Sequence, residues 1–263
     1  MRKFRTWIWL LSLVSLIFAS NSFANGEKTI PSLKNVLNEV RSSFSGKDNH
    51  LSLGEKLFET KKYYYQIQYL EQKLDILNEV KEHFEKAVSK AEEKYDEGEE
   101  DVSQSDITKL KLGLAGTLND IYEVETDLDI SRWSLSDSLG NEYSSNAELS
   151  ESGISPVDFE FDDFLSWSKH HNRSQKGINR SLALRKAFLK VVEAKKKMQL
   201  ARKNRKMTRA LLVSEVANYD FGIGDSGDLF QALIIYTRVL NGYYDSVYKY
   251  NLSVATLDRD KNL

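Results

Sequence analysis

Two stretches of the chain are variations on one theme. Lys94-Tyr95-Asp96-Glu97-Gly98 leads through a polar patch into a helix-like segment at Asp106-Ile107. Asn218-Tyr219-Asp220-Phe221-Gly222 does the same and enters another at Asp228-Leu229. The shared core is Tyr-Asp-x-Gly, and the copies lie 124 positions apart. A repeat of this kind constrains the architecture of a whole chain more than any single residue can. Here each copy sits between long stretches of helical periodicity, so the expectation is two long helical hairpins, each turning at a glycine.

The periodicity supports this. Leu70, Leu74, Leu77, Phe84, Val88, Ala91 and Tyr95 fall at heptad spacing, the mark of a helix with a coiled-coil seam. Asp96 to Ser105 forms the first turn, with Gly98 as breaker, and Ser103-x-x-Asp106 has the spacing of a capping box. A second helix carries Ile107, Leu110, Leu114, Leu118, Ile121, Val124 and Leu128 and ends near Leu139, with Gly140 placed for a C-terminal cap. A third runs from Ile178 to Ala217. The fourth is the most regular: Leu229, Tyr236, Tyr243, Tyr250 and Leu257 lie seven apart, with Leu233, Leu240, Val247 and Val254 between them. The tyrosines of that seam are expected to pack in the core with their hydroxyls at its edge. Helices of thirty to forty residues are roughly 45–60 Å long. They need partners along their whole seam, and short turns make them antiparallel pairs. The fold class is therefore all-α, with two long antiparallel coiled-coil hairpins and little or no β-structure.

Between these units the pattern weakens. Residues 25–50 read as a loose lead-in with one or two helical turns around Leu33, Val36, Leu37 and Val40. Residues 140–176 form an irregular connector in which Val157-Asp158-Phe159-Glu160-Phe161 fits a short strand or an aromatic anchor equally well. The organisation is 1–24 as a processing segment, 25–50 as lead-in, 51–139 as first hairpin, 140–176 as connector, 177–258 as second hairpin and 259–263 as tail. Segment 1–24 has three positive charges in its first five residues, an apolar core from Thr6 to Ala19 and small residues at Ser22 and Ala24. That is the layout of a secretory signal peptide, and its apolar core is short of the roughly 20 residues of a spanning helix. The absence of cysteine excludes a disulfide scaffold and a thiolate metal site.

Charge is segregated. From Lys176 to Arg209 there are thirteen Lys or Arg against Glu193 alone, while from Glu79 to Asp106 eleven acids face four lysines. Nucleic acid is not an expected partner for an exported chain. The basic helix reads as a solvated face, or as one matched to the acidic first hairpin. Asp96, Glu97, Glu99, Glu100, Asp101 and Asp106 crowd the first turn, and Asp220, Asp225 and Asp228 the second. Such residues cap free N–H groups and suit the helix dipole. The adjacent His170 and His171 are not expected to point both rings one way, no histidine or carboxylate arrangement has a metal spacing, and Gly222-Ile223-Gly224-Asp225-Ser226-Gly227 lacks the strand and the Lys-Ser/Thr of a phosphate loop. No enzyme activity, metal or cofactor is expected.

The stretch Asn218 to Ala232 resembles the periplasmic-tip motif of the outer-membrane efflux proteins, the TolC family: Tyr219, Gly222, several polar residues, then Asp228-Leu229 opening a helix with spaced Tyr and Ala. Tyr243 to Leu252 is similar to the helix that follows it. The first copy resembles the motif through Tyr95, Gly98 and Asp106, with two extra residues before Asp106. The resemblance covers about 51–139 and 176–258. It implies a homotrimeric exit duct in the periplasm and outer membrane of a Gram-negative bacterium, working with a periplasmic adaptor and an inner-membrane pump. It implies that Tyr95, Gly98, Asp106, Tyr219, Gly222, Asp225 and Asp228 belong to the duct's periplasmic tips. Asp228 matches a family aspartate that lines the entrance, where a ring of carboxylates would attract cations. The family's second aspartate is replaced by Gln231. The family's membrane β-hairpins have no counterpart in 25–50 or 140–176, so the expected form is the helical tunnel portion with the strands reduced or lost. A soluble periplasmic scaffold or accessory subunit is the alternative.

Overall fold

The computed structural model describes residues 27–44, 52–99, 102–141, 143–171 and 178–261. The processing segment lies outside the described residues, as do His50, Glu100, Asp101 and Lys176.

Strand β1 (Glu27–Ile30) opens the described chain and is followed by helix α1 (Leu33–Ser43). The lead-in is thus more ordered than expected, with an eleven-residue helix in place of one or two turns. Ser32 caps it by accepting from the Asn35 amide, and Val36, Leu37 and Val40 are buried. Its polar residues cover the outer side, which is why so short a pattern understates the helix.

Helix α2 (Leu53–Asp96) starts at a reciprocal capping box between Ser52 and Glu55. It carries two seams. Leu70, Leu77, Phe84 and Ala91 are buried as the heptads require, and so are Tyr65, Ile76, Val80 and Ala87 on a second line. The second seam exists because α2 packs on two neighbours. One is α3 (Gln104–Leu139), reached through the first glycine turn. The other is α6 (Ser226–Asp260) from the far end of the chain. Helix α5 (Ile178–Asp220) then packs along α6. The four long helices therefore lie in the order α3, α2, α6, α5, each antiparallel to the next, as a curved wall in which α3 also touches α6.

The wall's interior is aromatic and aliphatic. Toward the two turns it is filled by Phe84, Leu110, Leu233 and Tyr236, all essentially inaccessible. At the other end Tyr64, Ile67 and Leu77 pack with Val124 and Leu135, while Phe188, Val191, Val247 and Tyr250 fill the α5–α6 side. Full burial of one such side chain contributes about 1.5–3 kcal/mol. Tyr236 and Tyr250 keep their hydroxyls satisfied by donating to Glu79 Oε2 (2.7 Å) and to the Val157 carbonyl (3.0 Å).

Strand β2 (Tyr143–Leu149) pairs parallel with β1, Glu27 opposite Tyr143 and Ile30 opposite Leu149. The strand expected as one option at Val157–Phe161 is absent; that stretch is the aromatic anchor. Asn251 on α6 clamps it, accepting from the Val157 amide (2.9 Å) and donating to the Ser155 carbonyl (2.8 Å). Phe159 then meets Phe161 and Phe188, and helix α4 (Phe164–His170) adds Trp167 to the same cluster. His170 and His171 correct a second expectation. His170 ends α4 while His171 leaves helical geometry, so both rings lie against Phe161, 5.0 Å from each other.

Candidate functional site: the paired helical tips

The two Tyr-Asp-x-Gly copies adopt one hydrogen-bond pattern. At the first, the Gly98 amide donates to the Tyr95 carbonyl (3.1 Å) and the Glu99 amide to the Lys94 carbonyl (3.0 Å). At the second, Gly222 donates to Tyr219 (3.1 Å) and Ile223 to Asn218 (2.9 Å). Each is a Schellman motif, which satisfies the last carbonyls of a helix through a left-handed residue. Gly98 and Gly222 have φ of 79° and 70°, where a Cβ would strain the backbone. This is the physical content of the repeat: the glycine sits three residues after the tyrosine because the motif's bonds count back from it.

The helices leaving the turns are capped differently. Ser103 accepts from the Asp106 amide, and Asp106 accepts in return from the Ser103 amide (3.2 Å), a complete capping box. The Ser103 hydroxyl and Lys109 also donate to the Asp106 carboxylate, and these bonds hold it below the usual aspartate range. At the second tip Asp225 is itself the cap, accepting from the Asp228 amide (2.8 Å). That leaves the Asp228 side chain exposed in the first turn of α6, where the helix dipole favours its charge.

Both turns lie at one end of the wall. Lys90 of α2 donates to the Tyr219 (2.9 Å) and Asp220 (2.8 Å) carbonyls, placing a cation on the C-terminal end of α5. The Tyr219 hydroxyl donates to the Ala87 carbonyl (3.1 Å), and its ring is buried. Tyr95, at the matching position, is exposed. Below the tips, Phe84 and Phe230 pack with tilted rings over Gly113, where a Cβ would come within 2.6–2.9 Å of them. Beyond these contacts Phe221 and Ile223 stand about four-fifths exposed.

The seven tip residues are thus gathered by the fold into two adjacent turns, with Tyr219, Gly222, Asp225 and Asp228 in one and Tyr95, Gly98 and Asp106 in the other. Their bonds are those of helix termini. Lys90, Phe221 and Ile223 were not among the residues singled out from sequence; the apolar residues on either side of Gly222 were the available signal for the last two, and Lys90 had none. Among the described residues no group of three His, Cys, Asp or Glu could hold a metal ion, and no helix is long and apolar enough to cross a membrane.

No family model matches the chain, and no curated protein matches it in sequence. Its structure is similar to one described as "Structural insights of the outer-membrane channel OprN", with a TM-score of 0.61 over 87% of this chain and 69% of that one, at 10% identity. At that identity the likeness shows the fold alone: the long helical hairpins of a TolC-like channel.

Proposed function

We propose that the chain is a component of an export or efflux system and contributes its two hairpins to the helical wall of a periplasmic duct. The observation that carries this is the placement of both Schellman turns at one end of four long helices, each antiparallel to the next. A duct needs a wall with matching ends, and a self-contained globule does not. The fold likeness to an outer-membrane channel supports the same reading. The chain is exported by its segment 1–24, assembles as a homotrimer, and meets a periplasmic adaptor and an inner-membrane pump at the tips. Phe221, Ile223 and Tyr95 would supply apolar contacts there, and Asp228 a ring of negative charge at the mouth.

A second reading keeps the hairpins and removes the channel. The described strands are four and seven residues long and pair parallel, short of the roughly 9–11 residues of a transmembrane strand. The chain would then be a periplasmic scaffold, or an accessory subunit joined to a barrel supplied by another protein. Membrane fractionation followed by mass determination in mild detergent separates the two. A detergent-requiring trimer in the outer membrane is the expected result, and a soluble periplasmic monomer would overturn the duct.

A further inference from the structure

The end of the molecule opposite the tips gathers cations. Helices α1, α2 and α6 meet there around a cavity of about 160 Å³. Arg41 of α1, Lys61 of α2, Arg259 of α6 and its cap Lys261 line it, and Asp258 is the one acid in the lining. Phe58, also in the lining, begins the stretch of α2 that ends at Asp96. At about 1.5 Å per residue the cavity therefore stands roughly 57 Å from the first tip.

These cations differ from the solvated ones on α5. Lys61, Arg259 and Lys261 keep only 21%, 29% and 23% of their side-chain exposure, whereas Lys190 and Lys197 keep 74% and 71%. Lys61 (3.1 Å) and Lys261 (2.7 Å) share the Asp258 carboxylate. Burial raises that carboxyl, but the two lysines outweigh it and hold the group below the ordinary aspartate range. Arg259 donates through Nε (2.9 Å) and Nη2 (2.8 Å) to Asp260 Oδ1, and its guanidinium lies over the Phe58 ring at 4.6 Å. Arg41 donates to the neutral Asn38 Oδ1 (3.1 Å) and meets no carboxylate among the described residues. Glu55, the nearby acid of α2, is engaged by the Ser52 cap.

Neutralisation is thus incomplete. Two lysines share one carboxylate, Asp260 answers Arg259, and Arg41 is left over. Partly buried like charges repel more strongly than exposed ones, because less water screens them. The C-terminal dipoles of α1 and α6 favour Arg41, Arg259 and Lys261 singly. They do not account for four cations converging on one cavity beside the N-terminal, positive end of α2. An anion in the cavity relieves that repulsion. Leu57, Phe58 and Ala255 supply an apolar side to the same wall. A bare inorganic anion leaves those carbons uncovered, whereas a phosphate with an apolar substituent satisfies both.

We infer that this cavity binds the phosphate of an amphiphile, a phosphate ester carrying an apolar chain of the kind an anionic membrane lipid presents. Arg41 and Lys61 take the phosphate oxygens through charge-assisted bonds, and Leu57 and Phe58 cover the first carbons of the ester chain. The choice of a lipid rests on the duct reading for one thing, the orientation, with the tips toward the adaptor and this end toward the membrane. The phosphate site itself does not depend on it.

Calorimetric titration of the full-length chain with soluble short-chain probes tests the site. Dihexanoylphosphatidylglycerol should bind at one site per chain. Inorganic phosphate and dihexanoylphosphatidylcholine should each bind about tenfold more weakly or less. Arg41→Gln should weaken phosphatidylglycerol binding about tenfold, the loss of one charge-assisted hydrogen bond. Arg41 is exposed and its bond stays within its own helix, so the fold does not depend on it. Lys197→Gln on α5 should leave binding unchanged. Inorganic phosphate binding as tightly as the lipid overturns the amphiphile, and phosphatidylcholine binding as tightly overturns the phosphate recognition. Equal losses from Arg41→Gln and Lys197→Gln, or no binding at all, overturn the site. Membrane fractionation keeps this apart from the duct. An outer-membrane trimer that binds no phosphatidylglycerol overturns the site and leaves the duct, and a soluble periplasmic monomer that binds it does the reverse.

Discussion

The two tips share a backbone and differ in what they lean on. Each uses the same pair of Schellman bonds and the same left-handed glycine. The second is stapled to α2 through Lys90 and through the Tyr219 hydroxyl. The first projects past that staple, with Tyr95 exposed and its own ion pairs, Lys94 to Glu99 and Lys111 to Glu92, running within the hairpin. The Tyr-Asp-x-Gly signature therefore specifies a way to end a helix. Whether the tyrosine is a core residue depends on what the neighbouring hairpin brings to it.

The largest effect that separates them is expected from proline. Gly222→Pro removes the N–H that donates to Tyr219 and forces φ from 70° to about −65°, a cost of about 3 kcal/mol or more. Gly98→Pro breaks the same bond in the first tip. A local lesion can lower global stability only up to the free energy of opening that segment. The unstapled first tip frays cheaply, so Gly98→Pro should cost under about 1 kcal/mol in a urea titration, whereas Gly222→Pro should cost most of its full penalty. Equal losses in the two titrations would mean that the Lys90 staple adds nothing.

The same distinction marks what the sequence could reveal. Local chemistry was legible: the Ser103–Asp106 capping box, the Gly140 cap with φ of 72°, and the seven-residue seam of α6 all follow from residues close in the chain. Features set by a distant partner were not. The second seam of α2 answers to α6, about 160 residues away. Strand β2 buries Tyr143, Ala147 and Leu149 on one face, but Ser145 interrupts that alternation in the sequence, and its partner β1 lies far away in the chain. In the candidate site, Tyr95 and Tyr219 were equivalent as letters. Only Lys90 and Ala87, contributed by α2, make them different.

A smaller effect tests that difference at the level of one oxygen. Tyr219→Phe removes the bond to the Ala87 carbonyl and should cost about 1 kcal/mol. Tyr95→Phe removes a hydroxyl from an exposed ring and should lie within about 0.5 kcal/mol of the parent. Chemical denaturation of the two variants reads the contrast, and a cost at Tyr95 matching that at Tyr219 would place the first tip against a partner it does not touch in the chain.

The smallest effect concerns the acids that follow the turns. In the first tip Asp106 accepts from Ser103 and Lys109, and those bonds depress its pKa below the ordinary aspartate value. A carboxylate depressed on folding adds stability that is fully present above its unfolded pKa, about 3.9, and is lost as pH falls through the folded value. Acidification below about pH 4 should therefore loosen the start of α3. The Ser103 and Asp106 amide resonances should titrate together with a midpoint below that of a free aspartate, and Asp106→Asn should abolish the transition. The group is only partly buried and lies at a helix end, so the change in overall stability is small and the resonances are the sensitive measure. A midpoint at the free-aspartate value would show that the back-bond from Asp106 to Ser103 does not persist in solution. The first tip would then rest on a one-way cap from Ser103, the same arrangement that Asp225 provides at the second.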